Sequence, residues 1–495
     1  MCKEGDANMK LNREMQANTR IYPEKVLQFG EGVFLRGFAD WQIHQMNKRT
    51  AFKGSIVAVN PRITGNAGKL NKQDGLFTVS LQGIQDGKAV KEHEVIESIS
   101  RGLNPYEDYE AYMQLAEKEE LRFLISNTTE AGIAFLEEDR LEHEPQTSFP
   151  GKVTAFLYKR FKAFQGDPTK GLIILPCELV ERNGDLLKKM VLRYADKWNL
   201  EKKFTEWIHE ANAFCCTLVD RIVPGYPNDK NMLNELSYED EFFVITEPFY
   251  LWVIEGPEWV KEEFPAEEAG LHVKFVNDIA PYALQKVRIL NGIHTAMMPV
   301  AYLAELNTVR EAVEDEVIGT FIRKCLYEEI IPCLPVSEEE SLSFAKSALE
   351  RFQNPFIHHE LMSISLNSMT KFKTRNIPTL KEYVEKQGAL PALLTFSLSA
   401  LISFYKGKRG GEKIELSDDP AVLEMYESLW NTYDSTEKNI SYIVREVLGC
   451  KQHWGEDLNT IPSLTKAVTN GVLAIETLGM KQAIKEILYV TATKQ

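Results

Sequence analysis

The first half of the chain alternates short apolar runs with breaks rich in glycine and small polar residues. Such runs stand at residues 25–29, 55–60, 122–126 and 171–175. Short apolar runs bounded by turn residues are typical of buried strands in a parallel sheet. Residues 242–255, rich in aromatic and β-branched side chains, predict a further strand that closes the same sheet.

The second half of the chain has a different hydrophobic pattern, because apolar positions recur there at steps of three and four residues. This period predicts long amphipathic helices at residues 309–332, 338–352, 390–405 and 421–448. The fold class that follows is an α/β Rossmann-like N-terminal domain plus a mostly α-helical C-terminal domain. We expect a flexible lead-in at 1–20, a dinucleotide-binding domain with an inserted strand-rich segment (63–100) at 21–280, and a helical substrate-binding and catalytic domain at 281–495.

Composition narrows the choice of partner. The 495 residues are 44% hydrophobic and 26% charged, which are ordinary values for a globular protein. The net charge of −15 argues against a nucleic-acid backbone or an anionic membrane surface as partner, and no apolar window approaches the ~18 residues of a transmembrane helix. Seven cysteines form no CxxC pair and suit a reducing compartment, so we expect a cytoplasmic protein. We expect no metal site, and the sequence leaves the oligomeric state open.

A glycine turn follows the first apolar run. Gly30 and Gly32 stand between that run and a helical pattern, an order that lets backbone approach a pyrophosphate at a helix N-terminus. The usual third glycine is replaced by Leu35, so the turn taken alone is equally compatible with a purely structural role. The run at 55–60 ends in Asn60 where an acidic residue commonly binds the ribose, and Arg62 follows, so NADP is not excluded.

A second polar loop lies at residues 127–132, after another apolar run. At the carboxyl end of a parallel strand such a loop faces the cofactor, and its candidate contacts are Thr128, Thr129 and Glu130. A well-capped structural turn is the alternative.

The stretch 282–294 carries three chemical groups on a largely apolar helix. At about 100° per residue, His294 lies about 80° round from Lys286, and Asn291 stands one turn before His294. A lysine held among apolar groups has its charged form disfavoured, as a general acid or base near neutral pH requires. The alternative is that Lys286 extends to solvent while the other two satisfy neighbouring groups.

The amino-acid sequence of these stretches resembles the motifs of the mannitol dehydrogenase family, which comprises the polyol-specific long-chain dehydrogenases and sugar-acid reductases. The resemblance rests on Lys286, Asn291 and His294 following Tyr282, and on the first motif, which is formed by Gly30, Gly32, Phe34 and Arg36 with Asp40 a turn later. It implies that the lysine is the acid/base, that the asparagine and histidine polarise the reacting oxygen, and that the first motif binds NAD(H).

Departures from the polyol members point to a different substrate. Leu179 and Ser363 occupy positions where, by resemblance, polyol members carry a substrate-binding Asn and Arg. The cations Lys371, Lys373 and Arg375 follow soon afterwards and form a candidate carboxylate site, although a solvated face is the plainer interpretation. Asp220 and Arg221 match a family block that faces the cleft; alone they would be a surface pair.

Within the family, the resemblance implies reversible NADH-dependent reduction of the ketone of tagaturonate to altronate in hexuronate breakdown. The alternatives are reduction of fructuronate and oxidation of a polyol such as mannitol. A dinucleotide-sensing binding protein without catalysis is the alternative from another class. The expected partner is therefore a small sugar acid.

Overall fold

The computed structural model describes residues 9–16, 19–129, 131–227, 230–233 and 235–492. The chain divides into two compact units. The first comprises Met1–Gly83 and Val90–Ile279, and the second comprises Ile84–Ala89 and Ala280–Gln495.

A six-stranded parallel sheet organises the first unit. Its strands are β1 (Glu24–Phe29), β2 (Ser55–Val59), β5 (Ile99–Leu103), β6 (Phe123–Ser126), β7 (Ile173–Pro176) and β8 (Ala213–Phe214). They lie in the order β5-β2-β1-β6-β7-β8, with Leu27 of β1 opposite Val57 on one side and Leu124 on the other. The strand order reverses between β1 and β6, and ligands of doubly wound sheets bind at the carboxyl ends of the strands at that point. The predicted Rossmann-like fold is confirmed.

The remaining strands of this unit form two smaller sheets. They are β3 (Phe77–Gln85), β4 (Lys88–Ile96), β9 (Cys216–Asp220), β10 (Val244–Thr246), β11 (Leu251–Glu255) and β12 (Val273–Val276), in the orders β10-β3-β4 and β12-β11-β9. The prediction that residues 242–255 close the main sheet is therefore wrong. The chain breaks between β10 and β11, and each part pairs with a different sheet.

Apolar side chains cover both faces of the main sheet, because alternate residues of each strand point to opposite sides. Val26, Ile56 and Ile125 belong to one buried cluster, and Leu27 and Leu124 to the other. The α-helices described in this unit are α1 (Val33–Leu35), α2 (Trp41–Arg49), α3 (Ala67–Asn71), α4 (Tyr109–Gln114), α5 (Phe149–Ala163), α6 (Asn183–Lys197), α7 (Lys202–Glu210), α8 (Lys230–Leu233) and α9 (Val260–Glu263). A π-helical turn, Arg36–Asp40, joins α1 to α2.

The second unit is helical. Its helices are α10 (Ala280–Gln285), α11 (Ile293–Leu303), α12 (Val309–Glu314), α13 (Glu316–Lys324), α14 (Glu338–Phe352), α15 (Leu361–Ile364), α16 (Ser368–Arg375), α17 (Ile377–Gln387), α18 (Ala392–Phe404), α19 (Pro420–Trp430), α20 (Glu437–Gly449), α21 (Lys451–Trp454), α22 (Leu464–Leu478) and α23 (Met480–Ala492). The strands β13 (Lys408–Arg409) and β14 (Glu412–Lys413) form a small hairpin. Two predicted long helices are each interrupted, at Asp315 and Thr436, because both side chains cap a new helix.

Helix α18 is the centre of this unit. Every residue from Leu393 to Phe404 is buried, and the helix packs against α11 and α22. The buried carboxylate of Glu329 accepts hydrogen bonds from the N–H groups of Leu393 at 2.8 Å and Leu394 at 2.7 Å. Burial raises the pKa of Glu329 to about 7.

Within the described residues no helix is long and apolar enough to cross a membrane.

Candidate active site

The glycine turn after β1 borders a cavity of about 540 Å³ in the first unit. Gly30 has a φ of +121°, a conformation that side chains other than glycine rarely adopt. A Cβ on Gly32 would meet no heavy atom within 4 Å, so this glycine leaves open space in front of the backbone. Phe34, Thr128 and Thr129 also line the cavity, so the structure brings together most of the residues predicted to bind the cofactor.

Helix α1 begins at Val33, directly after Gly32, and no side chain caps its first amides within the described chain. Free N–H groups and the helix dipole together favour an anion at this end. The cradle left by Gly32 and the cavity volume fit the pyrophosphate of a dinucleotide. Glu130, a further predicted contact, lies outside the described residues.

Asn60 and Arg62 occupy different positions beside this cavity. Asn60 is buried and its backbone N–H donates to the carbonyl of Leu103, while its Oδ1 has no hydrogen-bond partner in the described part of the chain. Arg62 is exposed and lines the cavity. Of the two, only Arg62 therefore presents its side chain to the space where a dinucleotide would lie.

Arg36 is directed into the interior of the first unit. Its Nε donates to the carbonyl of Glu31 at 3.1 Å, its Nη1 donates to the carbonyl of Phe242, and its guanidinium lies over the ring of Phe77. Burial lowers the pKa of Arg36 to about 10. These contacts hold the glycine turn against β10 and its flanking loop, a position that the motif alone did not indicate.

Arg221 is likewise buried. Its Nη1 donates to the carbonyl of Gly37 at 2.7 Å within the π-turn, its Nε donates to the carbonyl of Glu247 at 3.0 Å, and its guanidinium lies 4.5 Å from the ring centre of Trp41. Burial lowers its pKa to about 9. Asp220 ends β9 and is also buried, so the pair is not the exposed ion pair that the sequence alone suggested.

Glu178 is a residue that the sequence analysis passed over. Its carboxylate is buried at the carboxyl end of β7 and accepts hydrogen bonds from the loop after β6, which carries Thr128. The side chain of Leu179, the next residue, is exposed. The available signal was a glutamate three positions after an apolar strand run, together with small polar loop residues elsewhere at the sheet edge, because a buried carboxylate needs hydrogen-bond donors.

The predicted catalytic helix in the second unit contains a π-turn, Lys286–Gly292, between α10 and α11. Regular α-helical spacing would place Asn291 about 140° round from Lys286. A π-turn hydrogen bond joins residues five apart, so it brings these two side chains nearer to one face. The regular spacing of about 100° per residue assumed from the sequence therefore does not hold between these two residues. Both side chains are half-buried.

His294 is the second residue of α11, the regular helix that follows. Its ring centre lies 4.2 Å from that of Phe352 and 5.2 Å from that of His359. Its Nε2 is buried and has no hydrogen-bond partner in the described residues. Burial first, and then the charges of His359, Arg351, Arg375 and Lys371, hold the pKa of His294 well below its ordinary value. The imidazole is therefore neutral at physiological pH, with one buried nitrogen left for a ligand.

The three predicted cations lie on a helix, α16, so residues four apart share a face. Nη1 of Arg375 donates to Oγ1 of Thr295 at 3.0 Å, and Nζ of Lys371 donates to the carbonyl of Ile364 at 2.9 Å. Both side chains also act electrostatically on His294. Lys373 points elsewhere, since its Nζ lies 3.5 Å from the position a Cβ would take on Gly455.

Two family models match the chain. One is described as the mannitol dehydrogenase Rossmann domain and matches residues 24–268, and the other is the mannitol dehydrogenase C-terminal domain and matches residues 278–476. The chain belongs to the mannitol dehydrogenase family. The resemblance stated from the motifs is confirmed.

Similar proteins include a sugar-acid member of the family. The altronate oxidoreductase of Bacillus subtilis is 53% identical over 480 residues, covering 96% of this chain and 98% of that protein. The altronate oxidoreductase of Yersinia enterocolitica is 46% identical over 468 residues, covering 94% and 97%. The structure of Pseudomonas fluorescens mannitol 2-dehydrogenase in ternary complex with NAD and D-mannitol is 23% identical with a TM-score of 0.65, covers 97% of this chain and all of that one, and shows the shared fold.

Proposed function

We propose that this protein catalyses the reversible NADH-dependent reduction of the ketone of tagaturonate to altronate. The observation that carries the proposal is the group of cations around His294 in a chain 53% identical to an altronate oxidoreductase. A polyol is uncharged, whereas a ketouronate carries a carboxylate that needs a cationic partner when it leaves water. Arg375 and Lys371 supply two such partners on one face of α16.

Lys286 is assigned the proton transfer. In the reductive direction its ammonium group donates a proton to the oxygen that becomes the alcohol, and in the oxidative direction the neutral amine accepts it. Bound NADH supplies the hydride. Lys286 is half-buried at the start of the π-turn, on the same helix as Asn291 and His294.

Asn291 and His294 are assigned to the reacting oxygen. A neutral imidazole with a buried, unshared Nε2 can donate a hydrogen bond to that oxygen without adding a full charge. Donors fixed before the reaction stabilise negative charge as it develops, and they need no reorganisation at that moment. The π-turn favours this arrangement by bringing Asn291 toward the face of Lys286.

The residues of the predicted cofactor site fall into two groups, those proposed to contact the dinucleotide and those that hold the glycine turn in place. We propose that Gly30, Gly32, Phe34, Thr128 and Thr129 contact the dinucleotide, with Glu130 and Asn60 as further candidates. Arg36 and Arg221 hold the glycine turn and the π-turn after it in place, since their guanidinium groups donate hydrogen bonds to backbone carbonyls. Asp220 stays a predicted substrate-side residue. The free cysteines of the described chain suit a reducing compartment, and we place the protein in the cytoplasm.

The alternative substrates are separated by a substrate panel. We expect NADH oxidation with tagaturonate to have the highest kcat/KM, followed by fructuronate, and fructose to be poor. The exposed side chain of Leu179 and the hydroxyl of Ser363, which donates to the carbonyl of Glu360 at 2.7 Å, favour this order over the polyol alternative. Turnover on mannitol above that on altronate would overturn the proposal, and NADH binding without any turnover would favour a sensing protein.

Cofactor choice is the first prediction. We expect kcat/KM with NADH to exceed that with NADPH, but modestly, because Asn60 carries no charge to repel a 2′-phosphate and Arg62 is available to attract one. Parallel kinetics with both cofactors measure this. The Arg62→Ala variant should keep its NADH kinetics and lose efficiency with NADPH. A preference for NADPH in the parent would mean that Arg62 binds the 2′-phosphate.

Metal independence is the second prediction. Across the described residues no group of three or more histidine, cysteine or carboxylate side chains could hold a metal ion, and the proton transfer assigned to Lys286 needs none. Overnight dialysis against a strong chelator should therefore leave kcat within experimental error of the untreated enzyme. A large loss of activity that zinc restores would contradict this expectation.

A further inference from the structure

The carboxylate of Glu178 joins two loops at the carboxyl edge of the main sheet. Its Oε1 accepts the backbone N–H of Thr128 at 2.9 Å and the hydroxyl of the same residue at 3.0 Å. Its Oε2 accepts the hydroxyl of Ser126 at 3.0 Å. Two loops that follow neighbouring strands, β6 and β7, are therefore connected by one buried side chain.

The backbone around Glu178 is itself held by hydrogen bonds. The amide of Asn183 donates to the carbonyl oxygens of Pro176, Glu178 and Thr217 at 3.0, 3.1 and 3.0 Å. The amide of Asn127 donates to the carbonyl of Cys177 at 2.7 Å, which adds a second link between the loops. The carboxylate therefore has a defined direction, and the position of Thr128 depends on it.

The loop held in this way forms one wall of the dinucleotide cavity. Thr128 and Thr129 line the cavity together with Gly30 and Gly32, and a Cβ on Gly30 would lie 3.3 Å from the carbonyl oxygen of Asn127. A small movement of this loop would close the space in front of Gly30 or open it. The loop is tight as well, since a Cβ on Gly132 would lie 2.1 Å from Oγ1 of Thr128.

We propose that Glu178 is a positioning residue for cofactor binding, acting through Thr128 and the loop that lines the cavity beside Gly30. The proposal rests on the proposed function only in taking the ligand to be a nicotinamide dinucleotide. Glu178 makes no contact with the reacting atoms in this scheme, so its loss raises the Kd for NADH more than it lowers kcat.

The test is NADH binding measured by fluorescence, without substrate. Glu178→Gln keeps the size of the side chain but replaces one acceptor oxygen by a donor that faces other donors, and we expect about tenfold weaker NADH binding. Glu329→Gln is the matched control, because Glu329 is also a buried glutamate that accepts two backbone N–H groups, but in the helical unit. The control should lose thermal stability and keep its NADH affinity.

Ser126→Ala is the milder variant and removes only the hydroxyl that donates to Oε2. We expect about threefold weaker NADH binding from it alone and little further loss when it is added to Glu178→Gln, since both act through one clamp. If Glu178→Gln does not fold, the NADH affinity of Ser126→Ala alone tests the proposal. Unchanged NADH affinity in Ser126→Ala, or equal weakening in Glu178→Gln and Glu329→Gln, would overturn the proposal.

A pH profile gives a second readout. Burial raises the pKa of Glu178, although its hydrogen bonds favour the charged form. Its protonation at lower pH removes an acceptor from the clamp, so NADH affinity should fall as the pH is lowered through the raised pKa of Glu178 in the parent, and it should fall less in Glu178→Gln. The group's contribution to folding has the opposite sign, because a raised native pKa gives stability at low pH that is lost as pH rises through it.

Neighbouring titratable groups among the described residues remain in both proteins. They include the thiol of Cys177 and the carboxyl of Asp40. Burial raises the pKa of Cys177 well above its usual range and the pKa of Asp40 to about 7. The difference between the two profiles therefore reports on Glu178. Identical profiles would overturn the proposal, whereas a parent protein that does not bind NADH at all would instead overturn the proposed function.

Discussion

Replacement of Lys286 by Ala is expected to lower kcat for tagaturonate reduction by ~10²–10⁴-fold, because that is the usual contribution of a positioned general acid. The side chain is half-buried at the start of the π-turn Lys286–Gly292, so its removal leaves the helix backbone in place. NADH binding, measured by fluorescence, should be unchanged, since the proposed cofactor cavity belongs to the first unit.

Two further variants separate the acid role of Lys286 from its charge. Lys286→Arg keeps a positive charge, but a guanidinium does not release a proton near neutral pH, so it should be nearly as slow as Lys286→Ala. Lys373→Ala is the control, because its Nζ lies near Gly455. An alanine variant that binds NADH normally and keeps more than about a tenth of the parental kcat would show that Lys286 is structural.

Loss of Arg375 or Lys371 is expected to lower kcat/KM for tagaturonate by roughly ten- to a hundredfold. A charge-assisted hydrogen bond to a carboxylate contributes about 1.5–3 kcal/mol, and each 1.4 kcal/mol is a factor of about ten. Both residues lie on one face of α16 and act on His294, whereas Lys373 does not share that face. Single replacements by Met remove the charge and retain most of the aliphatic volume.

Arg375→Met should have the larger effect of the two. Its guanidinium donates to Oγ1 of Thr295 at 3.0 Å, and that hydroxyl in turn donates to the carbonyl of Asn291 at 2.9 Å, so the charge is fixed beside the π-turn that carries Lys286 and Asn291. Lys373→Met should match the parent, and the Kd for NADH should be equal in all three. Parental kcat/KM in both Lys371→Met and Arg375→Met would mean that the substrate carboxylate is bound elsewhere.

The buried position of Arg221 changes the order in which further candidates would be tested. The resemblance places Arg221 in a block expected to face the cleft, which makes it a candidate ligand of the substrate carboxylate. Its donors are instead directed to the carbonyls of Gly37 and Glu247, and its charge lies over Trp41. Arg351, buried in the last turn of α14 and near enough to act on His294, is the better candidate.

Secondary structure could be predicted where one periodicity persisted. The strands β1, β2, β6 and β7 and the helix Glu338–Phe352 lie where the apolar pattern placed them, because each buries a regular face. Residues 242–255 were assigned to the wrong sheet, since a strand's composition does not specify its partner. The helix predicted over 421–448 is two helices, because a cap at Thr436 competes with continuation.

The direction of long side chains could not be predicted. Arg36 stands in a cofactor motif and Arg221 in a substrate block, yet both donate to backbone carbonyls in the interior. A flexible arginine reaches donor distance of many groups, and which one it meets depends on strands that are distant in sequence. The same reason hid Glu178, whose partners Ser126 and Thr128 are about fifty positions away.

The sequence by itself determined the kinds of chemistry available to this protein. It specified a glycine turn before a helix, a lysine, an asparagine and a histidine within nine residues, and three closely spaced cations at Lys371, Lys373 and Arg375, because these are properties of residue type and spacing. The tertiary structure alone decided how these groups are placed relative to one another. A π-turn changes the angle between Lys286 and Asn291, and the helical conformation of α16 separates Arg375 and Lys371 from Lys373. Both effects arise from backbone hydrogen-bond register and close packing, which depend on the whole fold rather than on local pattern.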